Sequence, residues 1–362
     1  MSKKENLSGT GKVWEEFCES LKASGHIILN QKDLTNLDVH EGWRYLTRLT
    51  RLGLEMALES NDPFFPTFYS LSHATAKIGA DNPDNLYLNA TIDGNLDYRI
   101  WGNRGTVHYL SFGTKANKYS EDGTMKTTGE LDIKEVHIEE DNSIDIILSK
   151  KKKDGNWLPL SNDSNLVIVR QTFLDKSLEQ SASLKIECLN SPDFPAPLTE
   201  ERLIQSLQTV SNFVNGTAST FVNWTNQFKK QLNKLPSQDQ EMYQRAGGDP
   251  NIHYLHGFWK LQQDEALIIN TKVPDCDYWN FQLDNYWMES LDYRFHKISL
   301  NNSNAYLNED GTLTIVISSL NPDMPNWIET AGHEQGTMLL RWVGAEEHPV
   351  PYSEVKKISE LK

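Results

Sequence analysis

No stretch of this chain approaches the roughly 18 consecutive apolar residues that mark a membrane-spanning helix, so no transmembrane segment is expected. Basic residues are outnumbered, with 35 Lys and Arg against 50 Asp and Glu and a formal net charge of −15. Nucleic acids and anionic membrane surfaces are bound through concentrated Lys and Arg, so neither partner is expected. The one basic run, Lys150 to Lys153, leads into Asp154-Gly155 and reads as a solvated hairpin tip. Cysteine is scarce. Cys18, Cys188 and Cys276 stand far apart, which excludes a disulfide framework and a paired CxxC zinc site. The opening MSKKENLSGTGKVWEEF is charged but has no apolar h-region, so no signal peptide is expected. These absences lead to the expectation of a soluble, cytoplasmic, reduced protein.

Familiar catalytic signatures are missing as well. There is no GxSxG elbow, no GxxxxGK(S/T) loop and no GxGxxG after a strand, so nucleotide-dependent chemistry is not expected. Neither HExxH nor an EF-hand loop occurs. His253 and His256 are three apart, a spacing that suits two metal ligands on a helix. Their segment HYLHGFWKL reads as a strand, where that spacing turns them to opposite faces. The expectation is no cofactor and no bound metal.

What is present falls into four blocks. Residues 1–75 read as helical: Trp43, Leu46, Leu49, Gly53 and Met56 follow helical spacing, Arg51 and Glu55 form an i,i+4 pair, and Pro63 and Pro66 end the run. From 76 to 195 the period becomes two, with short runs such as DYRIWG, VHYLSF and LVIVRQTF split by glycine-containing turns. That pattern predicts an antiparallel sandwich or barrel. Residues 196–247 read as a helical connector, with Leu203, Leu207, Val210 and Val214 as an apolar stripe and a second helix after Gly216. Residues 248–362 return to strands, with Asp310-Gly311 as a hairpin signal. No repeat with residue-level identity is evident, though two strand-rich blocks of similar size allow a repeated double sandwich.

The densest signal is DCDYWNFQLDNYWMESLDYR, residues 275–294. In a strand Asp277, Trp279, Phe281 and Leu283 share one face, and Tyr278, Asn280, Gln282 and Asp284 share the other. The first face reads as core. The second is a row of hydrogen-bonding groups that must meet water, a partner or a ligand.

The ordered strings GFWKL, DEALII, CDYWNFQLDNYWMESLDYR, SLNNSNAYLNEDGTLTIVIS and PNWIETAGHEQGTMLLRW resemble the domain-of-unknown-function 1214 family. Upstream, DNPDNLYLNATIDGNLDYRIWGNRGTVHYLSF resembles the N-terminal sheet of its full-length members. The resemblance implies jelly-roll-like β architecture, often paired with the related 1254 domain. It implies no settled activity and no catalytic set. The fold expected is therefore mainly β with α: two antiparallel jelly-roll-like β-sandwich lobes, a helical N-terminal region and a helical connector.

Among candidate site residues, the loop Pro325 to Glu334 carries a carboxylate, a hydroxyl and an imidazole between two strands. His333 is the expected proton shuttle, because imidazole titrates near neutrality, and Glu329 its partner or a second base. The bland alternative is that His333 and Thr330 satisfy loop backbone. Tyr278, Asn280, Gln282 and Thr330 would contact substrate, with Trp279, Trp287 and Trp327 as apolar walls or simply as core. Arg104 in the turn Gly102-Asn103-Arg104-Gly105 would clamp an anionic group, or stand as an ordinary hairpin arginine. Arg294 and Arg341 are expected in structural ion pairs, with Asp292 and Glu289 as partners. The leading functional expectation is an enzyme doing acid–base chemistry (a lyase, isomerase or hydrolase step) on a small apolar or aromatic molecule. The alternatives are a carbohydrate or apolar-ligand binding module and an assembly protein forming homo-oligomers.

Overall fold

The short run YRIWGN buries one face when extended and LVIVRQT buries both, and in the computed structural model each forms a strand. The structure describes residues 9–119 and 121–361; the first eight residues, part of the stretch in which no signal peptide is expected, lie outside them. The chain folds as two compact units, neither of them contiguous in sequence. Of the described residues, one comprises those within Met1–Gln31, Trp43–Ala76 and Asn85–Ala218, the other those within Lys32–Gly42, Lys77–Asp84 and Ser219–Lys362.

The first unit contains β1 (Asn85–Thr91), β2 (Tyr98–Asn103), β3 (Tyr109–Lys118), β4 (Thr124–Asp132), β5 (Ser143–Ser149), β6 (Trp157–Pro159), β7 (Leu166–Thr172) and β8 (Ser183–Cys188). They form two four-stranded sheets, in the orders β1-β7-β3-β4 and β6-β5-β2-β8. Pairing is antiparallel except between β5 and β6. Ile100, Ile146, Phe112 and Val169 are among the apolar residues of one core cluster that draws on both sheets.

The second unit contains β9 (Ile252–Lys260), β10 (Glu265–Lys272), β11 (Tyr278–Leu283), β12 (Ser299–Asn301), β13 (Thr312–Ser318), β14 (Trp327–Glu329), β15 (Gln335–Val343) and β16 (Tyr352–Lys357). Its sheets run β12-β11-β15-β9 and β14-β13-β10-β16. Counting strands from each unit's own start, both have the same orders, 1-7-3-4 and 6-5-2-8, with the same parallel pair. The chain is thus two antiparallel β lobes built to one plan, with helices before and between them.

The repeat extends to side chains. Asn156 and Asn326 each precede a tryptophan that opens the parallel edge strand. Asn326 accepts from Tyr306 N (2.8 Å) and donates to Tyr306 O (2.7 Å) and Thr314 O (2.9 Å). Asn156 makes the same three bonds, to His137 N (2.7 Å), His137 O (2.9 Å) and Asp145 O (3.1 Å). The indoles of Trp157 and Trp327 then donate to Ser149 and Ser318, each to both the carbonyl and the hydroxyl. Arg170 faces Ser111 and Tyr87 across its sheet, as Arg341 faces Asn280 and Tyr254. Residue-level correspondence therefore exists, although no repeat is evident along the linear sequence. It is spread over strand registers too sparsely for a linear scan to register.

The helices are α1 (Gly9–Leu29), α2 (Asn36–Leu54), α3 (Glu200–Phe228) and α4 (Gln240–Arg245), with a π-helical turn over Glu55–Glu59 extending α2. Thr35 and Asp38 cap α2 reciprocally, side chain to backbone, at 3.1 and 2.8 Å. Gly53 lets α2 and α3 approach: a Cβ there would stand 2.9 Å from Val210. The connector differs from expectation at Gly216, which does not separate two helices but sits within the continuous α3. A Cβ there would lie 2.9 Å from the Tyr119 carbonyl oxygen, so close backbone approach, rather than a break, accounts for the glycine.

The two asparagine clamps give a stability test. Asn326 is buried and holds φ +56°, a conformation asparagine tolerates better than alanine. Asn156 is half-buried. Asn326→Ala is expected to cost about 2–4 kcal/mol, because it strands buried backbone groups and strains the turn, while Asn156→Ala costs about 1 kcal/mol since water replaces the lost partners. Urea unfolding of both variants checks the ranking.

Candidate functional site

In the second unit, β11 presents Trp279, Phe281 and Leu283 to the core, and all three belong to its apolar cluster. The alternate residues Tyr278, Asn280 and Gln282 point the other way, and they too are fully buried. Polar atoms removed from water need partners, and the segment Lys77–Asp84 supplies many of them. The Tyr278 hydroxyl donates to Asp84 Oδ2 at 2.7 Å, Asn280 Nδ2 to Asn82 Oδ1 at 3.1 Å, and Gln282 Nε2 to the Asp81 carbonyl at 2.9 Å. Burial, then the neighbouring Asp84, drives the Tyr278 pKa well above the phenol range.

Arg341 on β15 lies at the centre of this face and is 5 % exposed. Its guanidinium donates to Asn280 Oδ1 (3.0 Å), to Gln282 Oε1 (2.5 Å) and to the Ala80 carbonyl. The expected ion pairs therefore divide: Arg294 does bind Asp292, at 2.6 and 2.8 Å, whereas Arg341 is held by two amides and a carbonyl. Asp284 follows, accepting from Gln282 Nε2 at 2.5 Å and from Thr337 Oγ1 at 3.2 Å. Burial pushes its pKa up to about 7, against the lowering effect of Gln282.

The polar network continues through Asn285, whose Nδ2 donates to Glu289 Oε2 at 2.9 Å and to Glu41 Oε2 at 2.8 Å. Glu41 sits on α2, 292 positions before His333 in the chain, and its Oε2 is 2.8 Å from His333 Nε2. The other ring nitrogen, Nδ1, lies 3.1 Å from the Thr330 carbonyl. A carbonyl only accepts, so Nδ1 carries a proton; the carboxylate facing Nε2 favours a second proton there, and with it the imidazolium form. Burial opposes that charge, but the hydrogen bond and charge of Glu41, with Thr330 and Asp38, outweigh it and raise the His333 pKa. The pair is 7 % and 10 % exposed. Gln335 Nε2 donates to Asp38 Oδ2 at 2.8 Å, and the Trp287 indole to the Asp38 carbonyl at 2.7 Å. Thr330 Oγ1 and Gln335 Oε1 are buried with no hydrogen-bond partner among the described residues.

His333, Thr330 and Trp287 thus share one network with Asn280, Gln282 and Tyr278. Glu329 takes a different partner, His296 Nδ1 at 2.5 Å, on a more exposed surface. Trp327 is tied to Ser318 at the parallel edge. Trp279 packs in the core against Trp342, ring centroids 6.2 Å apart. Arg104 belongs to the first unit and closes its own loop onto the Val107 carbonyl at 2.8 Å. Sequence reasoning missed Glu41, Asp38 and Asp81 through Asp84. Their only local signals are a helix cap and an Asp-Asn-Pro turn, neither of which points to a distant strand. Among the described residues no three His, Cys, Asp or Glu side chains are placed to hold a metal ion, and no helix is long and apolar enough to cross a membrane.

Two pH windows follow. His333 has a folded pKa above its ordinary 6.5, so its contribution is complete below that value and is lost as pH rises through the folded pKa. Asp284 is favoured in its protonated form, so its contribution is complete below the ordinary carboxyl value of 3.8 and is lost by about pH 7. Unfolding midpoints measured from pH 4 to 9 should lose the lower window in Asp284→Asn and the upper one in His333→Gln. A wild-type-like pH profile in either variant would contradict the assignment.

Comparison with known proteins adds kinship without chemistry. The model of a family described as "Protein of unknown function (DUF1214)" matches residues 259–347, a span that includes β11, β15 and His333 but not Glu41. An uncharacterized protein from Burkholderia cenocepacia is 47 % identical, with a TM-score of 0.95 over 97 % of this chain and 98 % of its own. The VPA0106 protein from Vibrio parahaemolyticus is 12 % identical over 87 % of this chain and 98 % of its own; with a TM-score of 0.51 it shares the fold. No curated protein matches. With the matched span holding the aromatic strand and its arginine partner, the chain belongs to the DUF1214 family.

Proposed function

We propose that the chain is an enzyme that carries out proton transfer on a small organic molecule, with His333 as the acid and Glu41 as the group that orients and charges it. The observation that carries this reading is a buried imidazole held between a carboxylate and a carbonyl, in a network that also leaves Thr330 Oγ1 and Gln335 Oε1 without partners among the described residues. Unmet buried polar atoms ask for a ligand or ordered water. A charged imidazole has a proton to give, and a carboxylate that raises its pKa sets the pH at which it gives it. The substrate's own hydroxyl or amine would donate to Gln335 Oε1, which only accepts. Glu41 replaces Glu329 in the partner role expected from the sequence.

The aromatic-platform alternative finds less support, since Trp279 and Trp287 are 2 % and 0 % exposed and offer no open ring face. The second reading is that His333 and Glu41 form a structural clamp, and their low exposure favours it.

A metabolite-mixture turnover assay read by mass spectrometry separates the two. The wild type is expected to consume at least one compound, with His333→Gln slowing it about 10²–10⁴-fold and Glu41→Gln moving the pH at which the rate falls. Unchanged turnover in a folded His333→Gln variant would leave only the clamp.

A further inference from the structure

The first unit holds a cavity of about 200 Å³ where the π-helical end of α2 meets the strand ends of one sheet. Met56 of the π turn and Phe213 of α3 provide apolar wall, and Tyr69, Thr91, Asn117 and Asn165 provide neutral hydrogen-bonding groups. Among the described residues the lining includes no Lys, Arg or His, and Glu121 is its one carboxylate. An anion therefore meets no countercharge there. At a liquid share of about 30 Å³ per water, the space equals roughly seven waters, below the ~300–1,000 Å³ of sites for drug-sized ligands.

Two independent features mark this cavity as more than a packing gap. The Tyr69 side chain is 6 % exposed, and its hydroxyl is buried without a hydrogen bond of normal geometry. Thr91 stands near enough to oppose part of the shift, but burial still pushes the hydroxyl up to about 12, so it stays protonated and is a donor in want of an acceptor. The second feature is the backbone: Ser60 N bonds the Glu55 carbonyl at 2.9 Å, an i→i+5 closure that widens the last turn of α2. Such π turns are uncommon and concentrate at functional sites. The strand ends are already locked, Asn165 bonding both backbone groups of Asn117 at 2.7 and 2.9 Å, so the polar wall is preformed.

We infer that this cavity binds a small neutral polyhydroxylated molecule, a monosaccharide or cyclic polyol, through Tyr69, Thr91 and the asparagine pair, with its apolar face on Met56 and Phe213. It lies in the first unit and makes no use of His333 or Glu41.

Saturation-transfer NMR on the full chain, with D-glucose and myo-inositol as probes and acetate as the anionic control, tests the site. Transfer to at least one of the two neutral probes and none to acetate is expected. Tyr69→Phe and Thr91→Val should each weaken it about three- to ten-fold, the scale of one neutral hydrogen bond. Tyr69→Phe removes a hydroxyl that makes no hydrogen bond of normal geometry, so even with Thr91 nearby its thermal midpoint without ligand should change little, which keeps the comparison valid if Thr91→Val proves unstable. Absence of transfer to both neutral probes, equal transfer to acetate, or transfer indifferent to the folded variants would overturn the proposal.

Discussion

The second unit depends on how a polar sheet face is closed. β11 and β15 turn Tyr278, Asn280, Gln282 and Arg341 away from the apolar core, yet all four are buried. A guanidinium out of water is tolerated only with its donors occupied. Here two side-chain amides and a carbonyl accept from it. Those amides are oriented in turn by Asn82 and by the Asp81 carbonyl. The segment Lys77–Asp84 is thus a lining strip constrained by hydrogen bonding as well as by packing, since a Cβ at Gly79 would clash with the Phe221 ring. Lys77 behaves in the same way, its ammonium donating to the Leu291 carbonyl at 2.8 Å.

This closure separates two lobes that share one plan. Both carry the same strand orders, the asparagine clamp and an arginine at the matching register. They differ in what stands at the matching outward positions of the third strand, where Ser111 and Gly113 correspond to Asn280 and Gln282, and two residues further on Lys115 corresponds to Asp284, just past the end of β11. Lys115 is neutralised by Glu130 at 2.5 Å, a direct ion pair. Asp284 is instead held by an amide and a hydroxyl and titrates near neutrality. One framework has received two different electrostatic fillings.

Much of this is legible in the sequence, and what is not has definite causes. Period-two alternation identifies β11 and its two faces, because side chains in a strand obey local geometry. The family strings are legible as well. Partner identity is not. His333 pairs with Glu41 rather than with Glu329, four positions away, because pairing is set by which segments the fold brings together and not by proximity in the chain. Gly216 misleads for a related reason: inside a helix, a glycine that ends the element and one that admits a neighbouring carbonyl look alike in one dimension.

The discontinuity of the second unit has a practical bearing on where the chain can be cut. Its β strands all fall after residue 251, and the family match begins at 259, so a fragment drawn to either limit looks self-sufficient. It would lack Glu41 and the strip from Lys77 to Asp84, leaving Arg341, Asn280 and His333 without their outside acceptors. Expressed alone, such a piece exposes a wet, charged patch in place of an interior. The minimal folding module is therefore longer than the recognisable domain and begins well before its first strand.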